Sequence, residues 1–317
     1  MKKIAVLTRD CAGVNAAIRS VVRTAVRHEI EVIGVIRGYD GLINGDFISL
    51  NHRSVSGILN RGGTILKTSR SKRFLTEEGQ RQAVKNIVDN GIDGLIVIGG
   101  NGSLSGAHDL ALKYDISVIG IPATIDNDVN GVDKAIGVDT AVNVALDALD
   151  KIRDTATSLE RIFVVEVMGR SCGYIAMQVA LAGGCEEVLV PEIDVSYDDM
   201  CREIQIGAEK GKISWIIIVA EGKASAYEIA KIVNNKTGLE TRVAVLGHIQ
   251  RGGRPTATDR IMAACLGNHA VELLREGVTD QCVYFKGNEL KTLPLDIAIQ
   301  PKNIDMVQYY KLIKTLT

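Results

Sequence analysis

Short β-branched runs alternate along this chain with amphipathic stretches, and that alternation leaves few folds open. The runs are Lys3 to Leu7, Glu31 to Val35, Gly94 to Ile98, Ser117 to Ile121, Ile162 to Val167, Glu187 to Val190, Trp215 to Ala220 and Arg242 to Leu246. Continuous apolar runs of this length suit parallel strands covered on both faces. Helical patterns lie between them, as in Asn15 to His28, Asp139 to Thr155, Tyr197 to Lys210 and Asp259 to Glu276. The order predicts a doubly wound α/β architecture. A length of 317 residues allows two domains of ordinary size or one large α/β unit.

Charge and cysteine usage then remove several function classes. Lys and Arg number 37 against 38 Asp and Glu, so the balance gives no electrostatic reason to expect nucleic acid or an anionic membrane as partner. No apolar run approaches the roughly 18 residues of a membrane span. The run that follows Lys2 and Lys3 is too short for a signal h-region. Cys11, Cys172, Cys185, Cys201, Cys265 and Cys282 show neither C-x-x-C nor a disulfide-framework spacing, and the five histidines are scattered singly. The expectation is a cytoplasmic enzyme with reduced cysteines and no zinc.

In a doubly wound sheet, ligands gather beyond the carboxyl ends of the strands. Gly99-Gly100-Asn101-Gly102-Ser103 follows one run, and Pro122-Ala123-Thr124-Ile125-Asp126-Asn127-Asp128 follows another. Later runs lead into Met168-Gly169-Arg170, Glu221-Gly222 and Gly247-His248-Ile249-Gln250-Arg251-Gly252-Gly253. The glycine string from Gly99 offers closely spaced N–H groups that could hold a phosphate at a helix start; the plainer reading is a tight turn. No Walker pattern and no complete G-x-G-x-x-G decides between them. Asp126 and Asp128 could supply a general base and a second, orienting carboxylate, although an Asp-Asn-Asp loop is as often a turn or a cap. Arg161, Arg170, Arg242 and Arg251 stand at strand ends with His248, a set suited to gripping a phosphorylated substrate. Lys67-Thr68-Ser69-Arg70-Ser71-Lys72-Arg73 concentrates four positive charges beside Gly62-Gly63. Such a run is usually a solvated face, but a kinase would use one of these arginines to offset charge on a transferred phosphoryl group.

Taken in order, the strings Asn15-Ala16-Ala17-Ile18-Arg19, Arg61-Gly62-Gly63-Thr64, Thr124-Ile125-Asp126-Asn127-Asp128, Lys151-Ile152-Arg153-Asp154-Thr155, Glu166-Val167-Met168-Gly169-Arg170 and Leu246 to Gly253 resemble the phosphofructokinase family, in its short bacterial ATP-dependent form. The likeness runs from Lys3 to about Phe285, beyond which the tail is too divergent to use. The resemblance implies two doubly wound Rossmann-like domains with mostly parallel sheets and the active site in the cleft between them. Residues 1–137 plus 250–300 would form the larger, nucleotide-binding domain, and 138–249 plus 301–317 the smaller, sugar-phosphate-binding one.

It further implies phosphoryl transfer from ATP to the 1-hydroxyl of fructose 6-phosphate, giving fructose 1,6-bisphosphate in glycolysis. Asp126 would take the hydroxyl proton, Thr124 and Asp128 would place the base and the metal-bound phosphates, and Arg70, with Arg170, would complete the catalytic set. Fructose 6-phosphate would meet Thr124, Ile125, Asp126, Met168, Gly169, Arg170, Glu221, His248, Ile249, Gln250 and Arg251, with Arg161 and Arg242 reaching from a neighbouring subunit of a homotetramer. Mg-ATP would lie against Arg9, Asp10, Arg70, Ser71, Gly100, Asn101, Gly102 and Ser103, with Asn101 and Asp128 toward the metal. An ADP or phosphoenolpyruvate effector would be held by Arg19, Arg23, Arg153, Glu186, Lys210 and Lys212.

Departures from the family pattern fall on the nucleotide side. The family's first strand runs into a paired-glycine turn; here Thr8-Arg9-Asp10-Cys11-Ala12-Gly13-Val14-Asn15 is two residues shorter and lacks the pair. Asn101 replaces the acidic residue of the Gly-Gly-Asp-Gly-Ser pattern, and an amide brings no charge to a hard cation, so Mg-ATP affinity is expected to fall. Ala123 replaces a glycine, and Ser71-Lys72-Arg73 replaces a Pro-containing stretch. Gly102 and Ala123 fit the ATP-using rather than the pyrophosphate-using branch. Two readings follow: a working kinase, at full or reduced rate, or an impaired paralogue that binds fructose 6-phosphate as a regulatory subunit.

Overall fold

The computed structural model describes residues 1–212 and 214–317. In chain order its elements are β1 (Lys3–Thr8), α1 (Val14–Arg27), β2 (Glu31–Val35), α2 (Tyr39–Asn44), β3 (Phe47–Leu50), α3 (Glu77–Asp89), β4 (Gly94–Gly99), α4 (Asn101–Tyr114) and β5 (Val118–Pro122). There follow α5 (Val138–Leu159), β6 (Ile162–Val167), α6 (Tyr174–Gly183), β7 (Glu187–Leu189), α7 (Tyr197–Glu209), β8 (Trp215–Ala220), α8 (Ala226–Thr237) and β9 (Thr241–Val245). The chain ends with α9 (Ala257–Arg275), β10 (Gln281–Lys286), β11 (Glu289–Pro294), α10 (Leu295–Ala298) and α11 (Val307–Leu316).

The chain divides into two compact units, one of Met1–Thr140 with Arg251–Lys302 and the other of Ala141–Gln250 with Asn303–Thr317. The first holds a seven-stranded sheet in the order β11-β10-β5-β4-β1-β2-β3. Its middle strands pair in parallel, as the apolar runs predict for β1, β2, β4 and β5 but not for β10, which no run marked, and β3 and β11 join antiparallel at the two edges. Those edges escaped the sequence reading because an edge strand needs no apolar run: in β11 only Leu293 is buried. Strands β1 and β4 run to opposite sides of the sheet in sequence order, so the switch point of the winding lies between them. The loops after β1, β4 and β5 therefore emerge side by side.

Helix α1 buries Ala17, Ile18, Val21, Val22 and Ala25, a spacing of three and four that makes one apolar face. It packs on α9 so closely that a Cβ at Gly267 would stand 2.7 Å from Ser20 Cβ and 3.0 Å from the Ala17 carbonyl oxygen. Side-chain caps start the polar helices: Thr76 Oγ1 accepts from Gly79 N at 3.2 Å, and Thr256 Oγ1 from Asp259 N at 3.3 Å.

The second unit carries a parallel sheet in the order β7-β8-β6-β9, with β8 buried along its whole length. Its core gathers Ile162, Val164, Leu189, Ile204, Ile217, Val219 and Val233. The terminal helix α11 is fastened to this unit by Lys314, whose ammonium lies 3.2 Å from the buried Glu187 carboxylate and also meets Glu203. Among the described residues no helix is long and apolar enough to cross a membrane. All six cysteines are free thiols, and burial pushes Cys185 and Cys282 up to about 12, which leaves these two unreactive.

Candidate active site

In the first unit the loop after β5 is built to be rigid. Thr124 Oγ1 accepts from Asp126 N at 3.2 Å. Asn127 has a positive φ of 52°, and its buried amide holds that turn by donating to Asp133 O at 3.1 Å and accepting from Ala135 N at 3.0 Å. Lys302 closes the turn from the far end of the chain, its ammonium donating to Asn127 O at 2.9 Å and Val132 O at 2.6 Å. Asp126 is only 2% exposed, and Arg251 Nη2 lies 3.9 Å from its Oδ1. Lys302 belongs to the tail beyond Phe285, which carries none of the family strings; this tail forms β11 and supplies the lysine that braces Asn127.

The turn after β4 leads directly into α4, with Gly100 as its N-cap. Neither a side-chain cap nor an acidic residue occupies the first turn, where Ser103 N donates to Gly100 O at 2.9 Å, so this helix start can receive an anion. Glycine is required here by proximity: a Cβ at Gly99 would stand 2.7 Å from Ser103 Cβ, and one at Gly100 3.1 Å from Thr124 Cβ. At Gly102 there is open space. Asn101 Nδ2 donates to Asp128 O at 2.9 Å. Asn101 Oδ1 and Asp128 Oδ1 are buried oxygens with no hydrogen-bond partner among the described residues. Two hard, unpartnered oxygens suit a divalent cation such as Mg²⁺, one carrying charge and one not.

The loop after β1 is occupied by its own side chains. Arg9 lies against Gly99, where a Cβ would meet its Cγ at 2.9 Å, and its Nη1 donates to Ser69 O at 2.8 Å. Asp10 Oδ1 would be 3.4 Å from a Cβ at Gly63. The buried Asn15 pins the neighbouring segment, donating to Arg61 O and Gly62 O at 3.1 Å and accepting from Ile65 N at 2.9 Å. Gly62 and Gly253, far apart in sequence, touch through their backbones, since a Cβ at Gly62 would be 2.3 Å from Gly253 O.

In the second unit Glu221 Oε1 accepts from Gly169 N at 3.3 Å and Arg170 N at 2.9 Å, folding the loop after β6 onto the loop after β8. Gln250 Oε1 accepts from Met168 N at 2.9 Å. Gly169 and Arg170 both have positive φ, 141° and 51°. His248 and Ile249 lie exposed in the 3₁₀ turn Gly247–Arg251.

One expectation fails. Arg161, Arg170, Arg242 and Arg251 do not share the ligand end of a sheet. Arg161 immediately precedes β6 and Arg242 is the second residue of β9, so both sit at amino ends, where Glu240 pairs with each; Arg161 Nε lies 2.8 Å from Glu240 Oε2. Proximity to an apolar run does not say which end of the strand a residue occupies.

The six effector candidates distribute over both units. Arg19 and Arg23 lie on α1, where burial and the neighbouring Arg23 charge lower the Arg19 pKa. Glu186 and Lys212 pair at 3.3 Å, with the ammonium 4.5 Å from the Trp215 ring centroid. Arg153 donates to Gly183 O and, at 3.0 Å, to Gly184 O, and Lys210 caps the end of α7.

The family model for phosphofructokinase matches residues 3–274 of this chain. An ATP-dependent 6-phosphofructokinase of Thermotoga petrophila is 53% identical over 304 residues, 95% of each chain. One of Thermotoga neapolitana is 49% identical over 319 residues and the full length of both. Among solved structures, phosphofructokinase from Saccharomyces cerevisiae superposes with a TM-score of 0.87 at 34% identity, over 99% of this chain and 46% of that one.

Proposed function

The chain belongs to the phosphofructokinase family, and from that premise we propose how its residues share the work of phosphoryl transfer. The chain transfers the phosphoryl group of ATP to fructose 6-phosphate and forms fructose 1,6-bisphosphate. The observation that carries the assignment of roles is the braced Thr124 to Asp128 loop, which holds one buried carboxylate beside an arginine at the end of β5. Relatives about half identical over the whole chain and named ATP-dependent 6-phosphofructokinases weigh against the reading as an impaired, purely sugar-binding subunit, which rests on the altered Arg9 loop and Asn101.

Asp126 is the general base for the 1-hydroxyl. Geometry fixes it before titration does: its backbone N–H is tied to Thr124 and its neighbour Asn127 is bound on both sides. Arg251, 3.9 Å from its Oδ1, sets a positive charge beside the carboxylate and meets the sugar phosphate. Arg70, with Arg170, offsets charge developing on the transferred group. Gly100, Gly102 and Ser103 receive the donor phosphates at the start of α4, flanked by Arg9, Asp10 and Ser71. Asn101 and Asp128 are the residues that would hold Mg²⁺, which when bound neutralises phosphate charge. Residues 1–137 with 250–300 bear the nucleotide and 138–249 with 301–317 the sugar phosphate. Met168, Gly169, Arg170, Glu221, His248, Ile249 and Gln250 bind fructose 6-phosphate.

Arg161 and Arg242, turned to the amino ends of their strands, act on a neighbouring subunit's sugar phosphate in a homotetramer. The Glu186 and Lys212 pair, with Arg19, Arg23, Arg153 and Lys210, receives a nucleoside diphosphate or phosphoenolpyruvate effector. The enzyme works in the cytoplasm.

A coupled assay tests the donor directly. ATP with Mg²⁺ and fructose 6-phosphate yields fructose 1,6-bisphosphate, and pyrophosphate in place of ATP yields none; equal turnover with pyrophosphate would overturn the donor assignment.

The missing charge at Asn101 weakens metal binding. Asn101→Asp adds a carboxylate where a buried, unpartnered oxygen already stands, so titration calorimetry of the protein with Mg-ATP should show about tenfold tighter binding. Unchanged affinity would instead put the limit on the shortened Arg9 loop. On the sugar side, a Cβ at Gly222 would lie 1.8 Å from Arg170 O, so Gly222→Ala must push the loop after β6 aside. We expect at least about a tenfold rise in KM for fructose 6-phosphate, since a displacement of about 1 Å is costly to positioned groups; an unaltered KM would remove that loop from the sugar site.

A further inference from the structure

Arg70 makes no hydrogen bond or ion pair among the described residues, and its side chain is exposed. A long cation with no partner of its own is aimed by its backbone. That backbone is held on both flanks by one carboxylate: Ser69 Oγ donates to Asp40 Oδ2 at 2.5 Å, and Ser71 Oγ donates to Asp40 Oδ1. Ser71 Oγ also accepts from Phe74 N at 3.2 Å, and Arg9 Nη1 holds Ser69 O from the end of β1.

Asp40 itself stands in a tightly packed turn. It is the second residue of α2, and the turn before it is packed so tightly that a Cβ at Gly41 would overlap Ile36 O at 1.6 Å. The preceding Tyr39 stacks on Phe74, ring centroids 3.9 Å apart, and its hydroxyl donates to Ser103 O at 2.6 Å in the first turn of α4. The Arg70 segment and the glycine turn that starts α4 are thus tied to the same short helix. The two serine hydroxyls hold the Asp40 carboxyl below its ordinary range, as donors to an ionised acceptor do.

We propose that Asp40 is a positioning residue for the phosphoryl transfer, acting through Ser69 and Ser71 to hold Arg70 in register with the first turn of α4. The role rests on the reading of Arg70 given above. Asp40 spends its carboxylate on Ser69 and Ser71 and is not among the residues assigned to fructose 6-phosphate, so its removal should act on turnover and not on sugar binding.

Kinetics of Asp40→Ala, of the double variant Ser69→Ala with Ser71→Ala, of Arg70→Ala and of Asp40→Ala combined with Arg70→Ala test it. We expect kcat to fall on the order of 10²-fold in Asp40→Ala, with KM for fructose 6-phosphate unchanged. The serine pair, which leaves α2 intact, should fall comparably, and Asp40→Ala should add nothing in the Arg70→Ala background. A native-like kcat in Arg70→Ala would overturn the reading of Arg70 and with it this role. A large loss in Arg70→Ala beside native-like turnover in the serine pair, or losses that simply multiply, would overturn the Asp40 clamp alone.

Discussion

Asp126→Ala lowers kcat by about 10³-fold or more, at the upper part of the range that general bases contribute, and leaves fructose 6-phosphate binding within a few-fold of native. The base is the one group in the Thr124 to Asp128 loop whose work cannot be taken over by a hydrogen-bond donor. Thr124, Asn127 and Lys302 hold the backbone whether or not the carboxylate is present, so the loop should keep its shape in the variant. Asp126→Asn separates charge from shape: it is nearly isosteric, cannot accept the hydroxyl proton, and should lose as much as the alanine. The unfolding midpoint should hold or rise in both, because a carboxyl group only 2% exposed is expensive to bury. Turnover within tenfold of native in either variant would remove Asp126 as the base.

The second large effect is on stability. Asp259 is fully buried, the third residue of α9, and accepts from Gly137 N at 2.9 Å, Thr140 N at 2.8 Å and the Thr140 hydroxyl. The traffic is mutual, since Thr140 Oγ1 accepts from Thr256 N at 3.1 Å and Asp139 Oδ2 from Thr256 Oγ1 at 2.7 Å. The first turns of α5 and α9 therefore satisfy each other's backbone. Asp259→Ala strands buried N–H groups at about 1–3 kcal/mol each, so a loss of about 3 kcal/mol or more is expected in chemical denaturation. A loss under about 1 kcal/mol would mean that these donors find other acceptors.

Burial lifts the Asp259 carboxyl above its ordinary value, with the Thr140 and Gly137 hydrogen bonds pulling the other way. The folded chain then keeps this proton at a pH where the unfolded chain has released it. Its contribution is full below the ordinary carboxylate value and is lost as pH rises through the folded value. The stability margin of the native chain over Asp259→Asn should accordingly shrink with rising pH across the acid range. A margin that grows would show the hydrogen bonds outweighing burial.

The parallel core was legible because strands buried on both faces must be apolar throughout, and β1, β4, β5, β6 and β8 all read so. Edge strands β3 and β11 carry no such obligation and were missed. The site loops were legible for a related reason: chemistry gathers where parallel strands end, and Gly99 to Ser103 and Thr124 to Asp128 stand there in the chain. Asp40, Asp259 and Lys302 were not legible. Each is an ordinary charged residue in its own neighbourhood, and Lys302 is 175 positions from the Asn127 that it braces.

By itself, then, the sequence determined the alternation of buried strands and covering helices, the family, and the short strings that carry the chemistry, because these depend on local composition and order. Tertiary structure alone decided which end of a strand Arg161 and Arg242 occupy, which backbone Asp40 and Lys302 hold still, and that Asn101 and Asp128 leave buried oxygens unpartnered. Those are relations between groups brought within hydrogen-bond reach by folding, and a hydrogen bond is specified by distance and direction in space, which separation along the chain does not encode.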